Sequence, residues 1–114
     1  MKKFAALSIT AIVIIVGFFA VDIISQVPKD LKWAFNQSID LEKEGKFKEA
    51  IAVLDEFYAQ NKTNYLLNLR LGYLHFQDTA FTKSISFYEA AVKLSPASVE
   101  ARLGLRLPYV KNNQ

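Results

Sequence analysis

Residues Tyr65–Ser98 read YLLNLRLGYLHFQDTAFTKSISFYEAAVKLSPAS, and this stretch decides how the rest of the chain folds. Leu71-Gly72 stands near its start, Ser84 follows the glycine by twelve positions, Tyr88 comes four later and Pro96 closes it. One step of 34 residues back, Phe81 pairs with Phe47, Ile85 with Ile51, Tyr88 with Leu54, Leu69 with Phe35 and Tyr73 with Ile39. A fixed period of this length is the mark of a repeat whose unit is one supersecondary motif.

The second unit opens with Asn68-x-x-Leu71-Gly72-x-x-His75 and continues through Ser84, Tyr88 and Ala91. In this it resembles the tetratricopeptide repeat, with Asn and His standing where the family has Trp and Tyr. The first unit, residues 31–64, shares Gly45, Phe47, Ala50 and Leu54 with that pattern. It departs where Gln37-Ser38 replaces Leu-Gly and Lys62 replaces the closing proline. The resemblance spans 31–98 and part of 99–110. It implies an all-α chain, a short helical solenoid of two repeats (31–64 and 65–98) with a terminal helix.

The residues themselves support helices. Trp33, Ala34, Ile39 and Leu41 fall at helical spacing, and Gly45 sits where a tight turn requires positive φ. Beyond it Phe47, Ala50, Ile51, Leu54, Phe57 and Tyr58 line one face of a second helix. In the next unit Thr79 replaces the turn glycine and is expected to cap the helix starting near Ala80. Residues 99–111 predict a capping helix or the first helix of a partial third repeat. Ser98 is its candidate cap, Glu100 complements the helix dipole, and Pro108 is expected to end it.

Ahead of the repeats, Met1-Lys2-Lys3 precedes FAALSITAIVIIVGFFAV, 18 positions without a charge. As a helix this run is about 27 Å long, close to a bilayer's hydrocarbon thickness. Phe18 before Ala20 and Ile23 before Ser25 make poor cleavage sites. Residues 4–21 are therefore expected to be a transmembrane helix or uncleaved signal anchor contacting the membrane, and 22–30 a juxtamembrane linker broken at Val27 by Pro28. The expected localisation is a single-pass membrane protein with its repeats on the non-cytoplasmic side.

The 114 residues are 52% apolar with a net charge of +3, the charges interspersed rather than blocked. No nucleic-acid partner is expected from such a pattern. The absence of cysteine excludes disulfides and thiolate metal sites. His75 is the only histidine and has no HExxH-like partner, so no metal is expected and the residue reads as helix packing. Glu42 and Glu44, like Asp55 and Glu56, are sequence neighbours that do not face one another on a helix. Gly72 and Gly104 fit no phosphate-binding pattern. Neither an enzyme nor a cofactor site is expected.

The resemblance implies that the first helix of each repeat lines a concave surface, where Phe35, Ile39, Leu66, Leu69, Tyr73, Phe76, Leu103 and Leu107 stand. Such a surface is a largely apolar groove for a protein or peptide segment. A clamp for acidic carboxyl termini is not expected, since Arg70 is the one cation at the corresponding places and Glu100 opposes it. Two functions stay open. One is a membrane-anchored interaction module, and the other a structural or truncated piece of a longer array that packs on further repeats or associates with itself.

Overall fold

A computed structural model describes residues 28–113. The described residues are all-α, with five helices: α1 Leu31–Lys43, α2 Phe47–Tyr58, α3 Tyr65–Gln77, α4 Phe81–Leu94 and α5 Val99–Asn112. Each helix packs on the next in the chain, and α3 also meets α5. Short connections turn each helix back on its predecessor, as in stacked helical hairpins.

The repeat is visible in the caps. Asp30, Asn64 and Ser98 each accept a bond from the backbone N–H three residues on, at Trp33, Leu67 and Ala101. These caps stand one 34-residue step apart and start α1, α3 and α5 in the same way. The turns inside the hairpins repeat too. Gly45 donates to the carbonyl of Glu42 and Lys46 to that of Leu41; one step later, Thr79 donates to Phe76 and Ala80 to His75. This is the paired hydrogen-bond pattern that closes a helix through a left-handed residue.

Thr79 corrects the sequence expectation. It does not cap α4, whose first turn lacks a side-chain cap at Ala80. Instead it takes φ +61°, the conformation Gly45 takes at +75°. The turn geometry is set by the hairpin, so a threonine is held where a glycine would fit.

Ala34, Ala50, Ile51, Leu54, Leu67, Leu71 and Leu74 form the core, flanked by Trp33, Phe47, Phe57, Tyr58 and Phe87. Small Ala34 and Ala50 let α1 and α2 approach, while the leucines supply the apolar area, each worth about 1.5–3 kcal/mol when fully buried. Asn68, fully buried on α3, accepts from the Tyr58 hydroxyl and donates to the carbonyls of Lys62 and Asn64. Both its amide hydrogens are thereby used, and they tie the loop between α2 and α3 to the hairpin behind it.

Pro108 is the second correction. It lies inside α5, which continues to Asn112. An interior proline removes one helix bond, but its ring is fully buried, and Tyr109 beyond it donates to Glu89 of α4. Tertiary packing outweighs the local penalty.

The single-pass membrane expectation is corrected as well. Among the described residues no helix is long and apolar enough to cross a membrane. The five helices hold 12 to 14 residues each. That makes them about 18–21 Å long, against the ~30 Å needed. The run 4–21, on which the expectation fell, lies outside the described residues, as does Val27.

Candidate protein-binding cavity

On the face formed by α1, α3 and α5 lies an open cavity of about 460 Å³. Phe35 of α1 lines it together with Leu66, Leu69, Arg70 and Tyr73 of α3; α4 contributes Tyr88, and α5 contributes Glu100 and Gly104. The wall is a product of helical spacing. Positions 66, 69, 70 and 73 recur at three and four, so they share one face of α3, while Leu67, Leu71 and Leu74 turn into the core.

Four of the eight residues expected on the groove, Phe35, Leu66, Leu69 and Tyr73, are brought together here. The other four are not part of this wall. Phe76 sits at the end of α3, where its ring packs against Phe81 at 5.7 Å. Ile39 is 38% exposed, away from the cavity, in the second half of α1. Leu103 and Leu107 are 60% and 55% exposed. They miss the cavity because α5 turns Ala101, Gly104 and Pro108 inward, which rotates the residue before each of the latter two away.

Tyr88, Arg70, Glu100 and Gly104 complete the wall. The first stands in the sequence as a position of the repeat pattern, and it is only 5% exposed. Yet its ring forms the cavity floor between two glycines: a Cβ on Gly72 would lie 2.9 Å from its Cγ and Cδ2, and one on Gly104 would lie 2.7 Å from its Cζ. The signal that could have found it is the presence of Gly72 and Gly104 on the two helices flanking α4.

Arg70 is held from two sides. Its guanidinium donates to Glu42 at 2.7 Å and to the Ser38 hydroxyl at 3.0 Å, and it lies 6.0 Å from the Tyr73 ring centroid. Ser38 in turn donates to the Phe35 carbonyl. This partly buried pair joins α1 to α3 and neutralises the cation. Glu100 takes part in no ion pair or side-chain hydrogen bond among the described residues. The Tyr88 phenol is pushed up to about 12, by burial first and then by the neighbouring Tyr73 and Glu100. Tyr73 is also raised, chiefly by the neighbouring Glu42 carboxylate. Both phenols therefore stay neutral at physiological pH.

No group of three or more His, Cys, Asp or Glu side chains that could hold a metal occurs among the described residues. The wall holds three aromatic rings, two leucines, the paired Arg70 guanidinium and the Glu100 carboxylate. No family model matches the chain, and a search of curated proteins finds no match.

Proposed function

We propose that the five helices form a short tetratricopeptide-type module that binds a protein segment in the cavity between α1, α3 and α5. The observation that carries this reading is the cavity itself: apolar side chains from separate hairpins converge on it, and Leu66 remains 60% exposed on its rim. An apolar, concave and open site suits an extended or helical segment whose side chains replace water at Phe35, Leu69 and Tyr73. The 34-residue spacing of the caps and turns supports the family reading. Arg70, already occupied by Glu42, argues against a clamp for acidic carboxyl termini.

The test is selection of a displayed random peptide library on the full chain, with Leu69→Asp as the counter-screen. Peptides that bind the parent and lose about tenfold or more on Leu69→Asp support the site, a factor worth about 1.4 kcal/mol. Selected peptides indifferent to both Leu69→Asp and Tyr73→Asp would place binding elsewhere.

A second reading has its own observation. Val99, Leu103, Leu107 and Val110 stand at steps of four, four and three on α5, and all are exposed. Such a stripe suits packing on a further helix or on a second copy of the chain. Sedimentation of the parent beside Leu103→Glu separates the two readings. A dimer lost in the variant favours self-association, and a monomer in both removes it.

A further inference from the structure

Resting on the binding reading above, the charge of the cavity narrows the chemistry of its occupant. We propose that the bound segment carries a basic side chain, Lys or Arg, between apolar neighbours, and that this side chain meets Glu100 beside the rings of Tyr73 and Tyr88.

The lining contains two formal charges, Arg70 and Glu100. Arg70 is satisfied by Glu42 and Ser38, and its pair with Glu42 sums to zero. Glu100 has no counter-ion among the described residues, so the uncompensated charge at the wall is negative. The nearest cation along α5, Arg102, is turned onto the carbonyl of Pro96 instead. The two neutral phenols add no charge of their own: the Tyr88 ring is covered by Gly72 and Gly104, and the Tyr73 ring already has the Arg70 guanidinium 6.0 Å from its centroid.

Three classes of occupant can be weighed against this wall. An acidic segment would meet Glu100 with like charge and find Arg70 already engaged. A wholly apolar one would cover Phe35 and Leu69 well but offer no partner to the Glu100 carboxylate, exposed at the α5 side of the wall. An apolar segment with one basic residue covers the same walls and supplies the missing counter-ion. The net charge of +3 on the chain does not reverse this order, because at physiological salt charges beyond about 8 Å are screened.

The experiment is an array of acetylated, amidated peptides in which one central residue, basic, acidic or neutral, stands between fixed leucine and phenylalanine flanks. The full chain is the binding partner. Basic members are expected to bind about tenfold tighter than acidic ones, a difference that falls with added salt. Glu100→Gln should remove most of that preference. Glu100→Lys should reverse it toward acidic members, a gain that misfolding cannot produce. Glu56→Gln, an exposed carboxylate on α2 outside the cavity, should change nothing. Binding that is lost in Leu69→Asp but shows no preference for basic members, or a preference that survives Glu100→Gln, overturns this inference and leaves the cavity reading standing. If no member binds in a way that depends on Leu69, both fall together.

Discussion

The ring of Tyr88 lies against the backbone of Gly104, so close that a methyl group there would stand 2.7 Å from its Cζ. Gly72 crowds the same ring from α3, with a Cβ placed 2.9 Å from its Cγ. The ring cannot swing away from one helix without striking the other. Alanine at either glycine gains up to about 1 kcal/mol of helix propensity but forces overpacking worth about 1–3 kcal/mol. Overpacking should win, because the atoms met include the ring's fixed base as well as its edge.

Gly104→Ala is therefore expected to lower unfolding stability by about 1–2 kcal/mol in urea titration. The first repeat suggests the remedy. At the positions matching Gly72 and Tyr88 it carries Ser38 and Leu54, both fully buried. A narrower side chain there tolerates a Cβ opposite. Tyr88→Leu combined with Gly104→Ala should recover part of the loss, with a coupling of about 1 kcal/mol. Strict additivity of the two changes would show that the ring and the glycine do not constrain one another.

The two hairpin turns differ in one residue with the same backbone. Thr79 at φ +61° carries a β-branched side chain where such residues are rarely tolerated. Thr79→Gly should stabilise the chain by about 0.5–1 kcal/mol, the relieved strain exceeding the added chain entropy. Gly45→Ala tests the converse. A Cβ there meets nothing within 4 Å, so any loss comes from φ +75° alone, expected at about 1 kcal/mol. A stabilising Gly45→Ala would show that the turn relaxes and that its left-handed residue carries no strain.

His75 makes stability fall toward acid. Its ring is buried, stacked on Phe87 at 5.2 Å, and Nδ1 has no partner among the described residues. Burial pushes its pKa below the ordinary 6.5; Asp55 and Asp78 oppose this, and Lys83 adds to it. The folded state thus binds its proton less readily than the unfolded one. The contribution is complete above about pH 6.5 and is lost as pH falls through the lower folded value. Asp55, raised above 3.8 chiefly by burial, acts in the opposite direction and in a lower window. Between pH 7.5 and 5.5 the histidine should dominate. His75→Phe keeps the stack, removes the unpaired nitrogen, and should raise stability at pH 7.5 by about 1 kcal/mol. Its urea midpoint should also change less over that range. Equal slopes in parent and variant would assign the acid sensitivity to other groups.

The helical fold and its period were legible because they rest on spacing. Leu54, Leu71 and Tyr88 are buried where the 34-residue register puts them. Half of the expected groove was legible for the same reason, since Leu66, Leu69 and Tyr73 share a helix face. Leu103 and Leu107 fall outside this cavity because the register fixes where α5 starts, not which face it turns inward. That depends on Gly104 meeting Tyr88 and on burial of Pro108, which are tertiary contacts. The Arg70–Glu42 pair was equally hidden. Its partners are 28 residues apart, and nothing in either stretch alone shows that one cancels the other.

Removal of α5 tests how far the two hairpins depend on the helix stacked beyond them. Ala101 and Pro108 are fully buried, Gly104 covers the Tyr88 ring, and the Tyr65 hydroxyl is bonded to Ser98 at 2.5 Å. Without α5, Tyr88 would lose one of the two backbones that hold it. An aromatic side chain left uncovered forfeits about 1.5–3 kcal/mol, a large share of the 5–15 kcal/mol by which small domains are stable. Repeats that bury their apolar faces only against neighbours have little in reserve. Deleting every residue after Pro96 is expected to replace the cooperative thermal transition by a broad, low-temperature one. Tyr88→Ser, which makes that exposed surface more polar, should restore part of the cooperativity in the shortened chain but weaken the full-length one. A shortened chain that melts sharply at the parent's temperature would show that α1–α4 close their own core and that α5 serves only to complete the cavity wall with Glu100 and Gly104.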